Sequence, residues 1–300
     1  MKQFELSIIT VNYNGYDDTV QLIESLRAFL ETPHEIIVVD NGSVTDEAAL
    51  IKDCHPFVKT VRSDENLGFA GGNNLGCRHA TGEYLLFLNN DTIVKDNSLH
   101  YLMETLRRNP DVAGVSPKIL FYDDPGHIQF AGYTEFSPVT IRNRTIGYNE
   151  PDNGNYEAIA PTAYLHGAAM MIRREVIEEV GMMPECYFLY YEEMDWCSRM
   201  KRHGYRLLFD PRAVVYHKES SSTGKESPLK AYYLIRNRML FAWRNRNGVA
   251  RYFSVAYLSL CAGVKDTFSY LVSMKFSLAS ATCKGCVDFF GMFFKKRETK

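Results

Sequence analysis

This sequence predicts an α/β fold: one central, mostly parallel sheet covered by helices, followed by a C-terminal helical extension. Three observations predict it. Residues 84–88 (Tyr-Leu-Leu-Phe-Leu) are an unbroken apolar run ending in Asn89-Asn90-Asp91-Thr92, the signature of a strand buried on both faces. Two earlier runs, 6–12 and 35–39, also end in amides and acids, and helix-spaced stretches separate the runs. From Leu229 the texture changes and the chain becomes helical, aromatic and basic.

In order, residues 6–12 read as a strand ending at Asn12-Tyr13-Asn14-Gly15. Asp17 and Asp18 open a helix with Val20, Ile23, Leu26 and Leu30 on one side, closed by Pro33. Residues 35–39 form a second strand ending in Asp40-Asn41-Gly42-Ser43, then a helix is expected over 45–54 and a strand over 58–61. Residues 66–74 (Asn-Leu-Gly-Phe-Ala-Gly-Gly-Asn-Asn) read as a glycine-rich loop leading into a helix that stops near Gly82. The run at 84–88 is thus the fourth strand of a β-α-β-α-β-α-β series, an alternation that calls for a right-handed, helix-covered parallel sheet. A segment of helical character follows from Asp96, then a strand over 112–120, and residues 121–160 read as loops and short strands. Residues 165–172 are expected as a strand with small residues where something approaches closely. Helices are expected over 174–180 and within 187–203, the latter stopped by Gly204, with closing strands at 205–209 and 213–217. Residues 220–228 form a polar break, and no internal repeat is apparent. Three segments result: 1–110, 111–228 and a C-terminal extension over 229–300.

Composition sets the broad class. With 300 residues, 46% of them hydrophobic, the chain can bury a sizeable core. A net charge of −2 makes a general nucleic-acid partner unfavourable. Seven scattered cysteines fit reduced thiols rather than a disulfide framework, and Cys283-x-x-Cys286 has no second pair to complete a zinc site. The short apolar run at 6–11 has no signal-peptide character, so a cytoplasmic protein is expected.

Asn12, Asp40 and Asp91 all terminate strands of one sheet, so they should line one crevice at its carboxyl edge. A nucleotide suits such a crevice. Asp40 can accept from a pyrimidine N3–H or a ribose hydroxyl, and the glycines after Asn66 let backbone come close to a base or phosphate. Asp91 is the hard oxygen donor that Mg2+ or Mn2+ prefers, although Asn-Asn-Asp-Thr also suits a plain turn and N-cap. The glycine spacing does not match G-x-G-x-x-G. Ser222-Thr223-Gly224-Lys225 lacks the upstream glycine of a P-loop. Both absences count against a dinucleotide oxidoreductase and a P-loop enzyme. Residues 190–196 (Tyr-Tyr-Glu-Glu-Met-Asp-Trp) place three acids at a helix start. Asp195 suits an i,i+4 pair with Arg199, whereas Glu192 and Glu193 among aromatics suit a general base with a raised pKa.

The ordered set Val39-Asp40-Asn41-Gly42-Ser43, residues 66–73, Leu88-Asn89-Asn90-Asp91, Glu192-Glu193-Met194-Asp195 and Val215-Tyr216-His217 resembles the family 2 glycosyltransferases. The nearest branch is the rhamnosyltransferase-like and galactofuranosyltransferase-like one, and the match runs from Leu6 to roughly Asn245. The resemblance implies a GT-A fold, a nucleotide-diphospho-sugar donor (UDP- or dTDP-linked), Mn2+ or Mg2+, and inversion at the anomeric carbon. It also implies nucleotide-sugar binding for segment 1–110 and the acceptor and catalysis for segment 111–228. It places Asp40 against the base or ribose, with Val11 and Asn12 lining the same pocket. Asn66, Gly68, Gly72 and Asn73, then Asn89 and Asn90, extend the donor site. Asp91 and His217 would support the metal. Position 89 is Asn where the motif often begins with Asp, leaving a single carboxylate there. Glu193 matches the position of the catalytic base, usually Asp in the family, so Glu192 stands as a substitute. His166, Gly167 and Asp195 fall on the acceptor side, and Arg236, near Tyr233 and Asn237, would meet the diphosphate.

The tail has two readings. Aromatic and basic residues through Lys295-Lys296-Arg297 suit a membrane interface at the inner face of the cell membrane. They equally suit a helical subdomain packed on the core or on a second subunit. Residues 252–264 are too short to span a bilayer. The expected function is inverting, metal-dependent transfer to a glycan or lipid-linked acceptor in bacterial surface polysaccharide synthesis. Two rivals are a catalytically inactive glycan- or nucleotide-binding subunit and a sugar nucleotidyltransferase. The latter needs an early basic glycine-rich loop that residues 12–16 do not supply.

Overall fold

The computed structural model describes residues 4–218 and 227–294. The expectations at Ser222-Thr223-Gly224-Lys225 and Lys295-Lys296-Arg297 lie outside the described residues. The chain divides into two compact units. Of the described residues, the first holds 4–135, 144–188 and 192–218, and the second holds 136–143, 189–191 and 227–294.

The first unit follows the predicted alternation: β1 (Leu6–Asn12), α1 (Tyr16–Phe29), β2 (His34–Asn41), α2 (Glu47–Cys54), β3 (Lys59–Ser63), α3 (Gly68–His79) and β4 (Tyr84–Leu88). β3, β2, β1 and β4 lie side by side in that order and are parallel throughout. Leu6, Ile8, Ile36, Val38, Leu86 and Leu88 on one face are buried in one cluster with Leu22, Ile23 and Leu26 of α1. Ile9, Ile37, Val39, Leu85 and Phe87 on the other face are buried as well, so both faces stay dry.

The glycine-rich segment expected as a loop is itself the body of α3. A Cβ on Gly72 would sit 2.9 Å from Val11 Cγ1, and one on Gly76 would sit 2.5 Å from Ile9 Cγ2. The helix therefore rides directly on β1, and the glycines that weaken it as a helix let it approach. Gly68, at φ +73°, starts it in a conformation that side-chain-bearing residues avoid.

Beyond β4 come β5 (Thr92–Ile93), α4 (His100–Arg108), β6 (Val112–Phe121), β7 (His127–Phe130), β8 (Glu150–Pro151), β9 (Ala160–Pro161) and β10 (Ala169–Arg173). α5 (Arg174–Val180), α6 (Glu192–Arg202) and β11 (Arg206–His217) complete the unit. The eleven strands among the described residues form one sheet, which becomes mixed past β4. β10 runs antiparallel between β4 and β6, β11 runs parallel to β6, and β5 pairs antiparallel with β11. The strand expected over 165–172 begins only at Ala169, because residues 166–168 make a tight reversal closed by Ala169 N–H donating to His166 O at 3.1 Å. The two expected closing strands are one long strand with a register irregularity between Asp210 and Val214.

In the second unit, α7 (Pro228–Asn245) starts with Pro228 in its first turn and the Ser227 hydroxyl accepting from Lys230 N–H at 3.1 Å. α8 (Gly248–Tyr257) continues through one wide π-type turn over 258–263 into α9 (Val264–Val272), and α10 (Phe276–Phe294) returns along α7. A Cβ on Gly285 would lie 2.6 Å from Tyr232 O, so α10 and α7 meet backbone to backbone. The Asn237 amide donates to Leu189 O at 2.6 Å and Tyr190 O at 3.0 Å, holding a segment where Tyr190 (φ 69°) and Tyr191 (φ 76°) are left-handed.

Candidate active site

At the carboxyl ends of β1 and β2, Asn12 and Asp40, expected to line a crevice, are buried in a polar knot. Asn12 donates to Glu47 Oε2 at 2.7 Å and accepts from the Thr19 hydroxyl at 2.7 Å. Glu47 Oε2 also accepts from the Ser43 hydroxyl at 3.3 Å and from Gly15 N–H at 3.2 Å. Asp40 accepts from Ser43 N–H at 3.0 Å and Ala48 N–H at 3.3 Å, and pairs with Arg62 from β3. Its carboxylate is wholly buried and acts visibly on the start of α2. Asn41, rather than Asp40, reaches across to the α3 entrance. Its amide donates to Asn66 Oδ1 and Gly68 O, both at 3.1 Å, and accepts from Leu67 N–H at 3.0 Å. Asn66 closes its own turn by accepting from Gly68 N–H at 2.9 Å. Asn73 is buried and donates to Phe69 O at 3.0 Å within α3, while Val11 packs under Gly72.

The end of β4 is different. Asn90 turns back to donate to the Thr19 hydroxyl at 3.1 Å, and Asn89 is half-buried, its backbone N–H held by Ala168 O at 2.9 Å. Asp91 and His217, 126 positions apart, meet: His217 Nε2 lies 3.1 Å from Asp91 Oδ1. The antiparallel register of β11 on β5, which sets His217 opposite Thr92, brings them together. The other imidazole nitrogen, Nδ1, lies 2.7 Å from Oε1 of buried Gln129 on β7. Both ring nitrogens thus face oxygen acceptors. With the proton on Nδ1 and donated to Gln129, Nε2 presents a lone pair beside a carboxylate. One imidazole and one carboxylate so placed fit a divalent cation that keeps its other positions for substrate and water. Among the described residues no group of three or more His, Cys, Asp or Glu side chains is arranged to enclose a metal by itself.

The third element is α6. Buried Trp196 packs edge-on against Phe87 of β4 at 5.6 Å between centroids and donates to Gly181 O at 2.8 Å, which fixes the helix on the sheet. Glu193 in its first turn lies against Gly167, whose absent Cβ would be 3.7 Å from the carboxylate. Burial pushes the Glu193 carboxyl up to about 7, opposed by the backbone N–H groups of Glu193 and Met194. Burial and the Glu193 charge raise the Tyr133 phenol, and burial raises the Cys197 thiol to about 12. His166, beside Gly167, stacks on Tyr133 at 5.8 Å and lies 6.3 Å from the His217 ring. Its Nδ1 accepts from Ala168 N–H at 3.1 Å, and burial, with His217 adding, lowers its pKa to about 3. It is a neutral imidazole carrying its proton on Nε2.

His166 thus joins two groups: Glu193 with Gly167 and Tyr133, and Asp91 with His217 and Gln129. Glu192 and Asp195 are buried in α6. Arg236 belongs to the second unit, where its guanidinium lies 4.7 Å over the Tyr233 ring. Gln129, Tyr133, Arg62 and Glu47 escaped sequence reading. Gln129 and Tyr133 fall in the weakly periodic 121–160 stretch, and Arg62 and Glu47 bear no motif.

The sequence model described as Glycosyl transferase family 2 matches residues 7–181. The low-salt glycan biosynthesis hexosyltransferase Agl10 of Haloferax volcanii is 29% identical over 245 residues, covering 79% of this chain and 75% of its own. The N-acetylglucosaminyl-diphospho-decaprenol L-rhamnosyltransferase of Mycobacterium tuberculosis is 24% identical over 244 residues, 74% of this chain and 78% of its own. In structure, the mannosyltransferase PcManGT of Pyrobaculum calidifontis, solved with GDP-Man and Mn2+, superposes with a TM-score of 0.57 at 16% identity. That match covers 96% of this chain and 87% of the mannosyltransferase.

Proposed function

This chain belongs to glycosyl transferase family 2, has the GT-A fold and is a glycosyltransferase of the rhamnosyltransferase-like branch; from that premise we propose that it catalyses an inverting, metal-dependent transfer. The sugar would move from a UDP- or dTDP-linked donor to a glycan or lipid-linked acceptor in bacterial surface polysaccharide synthesis. A relative named for transfer to N-acetylglucosaminyl-diphospho-decaprenol supports the lipid-linked acceptor.

The observation that carries the reading is the join at His166 between a carboxyl raised to about 7 and an imidazole–carboxylate pair 3.1 Å apart. Glu193 takes the proton from an acceptor hydroxyl, and a group poised near 7 both holds and releases protons readily near neutral pH. The freed oxygen forms its bond to the anomeric carbon from the face opposite the leaving nucleoside diphosphate, so the configuration inverts. Asp91 and His217 would hold Mn2+ or Mg2+, which when bound neutralises charge on the leaving diphosphate as a Lewis acid. His166, neutral and with Nε2–H to donate, orients the acceptor over Gly167, which lies against Glu193. Half-buried Asn89 would face the donor, while Asn12 and Asp40 keep the surrounding loops in place and Asn73 bonds within α3. Holding donor and acceptor in line contributes much of the remaining rate.

A thermal-shift panel of UDP-, dTDP- and GDP-sugars, each with and without Mn2+, tests the reading. A nucleotide sugar should stabilise the protein more with Mn2+ than without, and Asp91→Asn should abolish that increment. No stabilisation by any nucleotide diphosphate under any metal condition would refute it.

A further inference from the structure

The continuous helical run of α8, the π-type turn and α9 carries an apolar stripe that nothing in its own unit covers. Val249, Phe253, Ala256, Leu260, Val264, Phe268 and Leu271 recur at intervals of three and four, which places them on one face. All are exposed, including Phe253 at 65%, Leu260 at 71% and Phe268 at 67%. The opposite face, with Val255, Leu258 and Ala262, is buried in the second unit. A soluble surface rarely leaves such a contiguous apolar strip in water.

Charge indicates what covers it. Residues 246–300 carry nine Lys or Arg against three Asp or Glu, a net +6 in a chain whose overall charge is −2. Lys265 and Lys275 are exposed beside the stripe, and Arg251 lies 5.1 Å over the Trp243 ring. Trp243 packs edge-on against Tyr252 at 5.8 Å, an amphipathic aromatic pair suited to a headgroup layer. A second copy meeting the stripe would bring two +6 segments together, which repulsion disfavours. Among the described residues no helix is long and apolar enough to cross a membrane. We propose that the outer face of α8 and α9 is a membrane-contact surface lying in the plane of an anionic lipid leaflet, with the apolar stripe in the acyl boundary and the basic residues at the headgroups.

The inference does not depend on the active-site reading, and its test is separate. The full chain is sedimented with phosphatidylcholine vesicles, with and without phosphatidylglycerol, at low and high salt. It should bind the anionic vesicles about ten-fold or more tightly than the neutral ones, with high salt removing most of that advantage. The double variant Leu260→Glu with Phe268→Glu should lose binding to anionic vesicles while keeping the parent's unfolding midpoint. Three results would overturn the proposal. The wild-type chain fails to bind anionic vesicles; the folded double variant binds them as well as the parent; or light scattering finds a dimer that the double variant dissociates, which assigns the stripe to a second copy.

Discussion

Replacing Glu193 with glutamine removes one titration while changing almost no volume, so its effect on stability reads out the environment of that carboxyl. Burial raises it from an ordinary 4.5 to about 7. A carboxyl raised in the folded protein binds its proton more tightly folded than unfolded. Its stabilising contribution is therefore complete below pH 4.5 and is lost as pH rises through about 7. At roughly 1.36 kcal/mol per pKa unit, the stability lost relative to acid pH is about 3 kcal/mol at pH 8 and about 1 kcal/mol at pH 5, where only the unfolded chain ionises. Glu193 keeps some solvent access, and screening brings the pH 8 figure to ~1–3 kcal/mol. Glu193→Gln should therefore be more stable than the parent at pH 8, with the advantage shrinking toward pH 5. Transfer should fall about 10²–10⁴-fold, and the parent's kcat/KM should rise with pH through about 7. Urea unfolding followed by tryptophan fluorescence at both pH values makes the comparison. A stability difference that does not change with pH, or a variant less stable at pH 8, would refute the reasoning.

Gln129→Leu should weaken Mn2+ binding about 10–100-fold by removing the acceptor that orients His217, whereas Gln129→Glu, which keeps an acceptor, should restore it. Titration calorimetry with Mn2+ and a nucleoside diphosphate separates this effect from general destabilisation. Trp196→Ala removes the side chain that seats α6 on Phe87, and should lower stability by about 3–5 kcal/mol at both pH 5 and pH 8, measured by denaturant unfolding.

The parallel half of the sheet was legible because β2 and β4 carry unbroken apolar runs and β1 nearly so, and the β-α alternation around them placed the polar edge strand β3. α3 was not, since glycine reads as a loop until the closeness of Ile9 and Val11 is known. The mixed half depends on β10 inserting against the direction of its neighbours, a long-range choice with no local mark. At the site, Asp91 and His217 could be named from family resemblance, but their meeting depends on the pairing of β5 with β11. Gln129 could not be named at all, because its position follows from β7 pairing with β6. Asp40 and Asn12 stood out by type and position, yet the structure ties both into the protein because Arg62 and Glu47, unremarkable in sequence, reach them.

The antiparallel seat of β10 between β4 and β6 sets a timetable for biosynthesis. β4 leaves the ribosome able to pair with β1 on one side only, while its other edge, five consecutive apolar residues, waits for residues 169–173. At a synthesis rate of about 5–20 residues per second, that edge stays open for roughly 4–17 s. During that interval it is a template for strands of other nascent chains. The antiparallel insertion that completes the catalytic crevice also sets how long the growing chain remains open to aggregation.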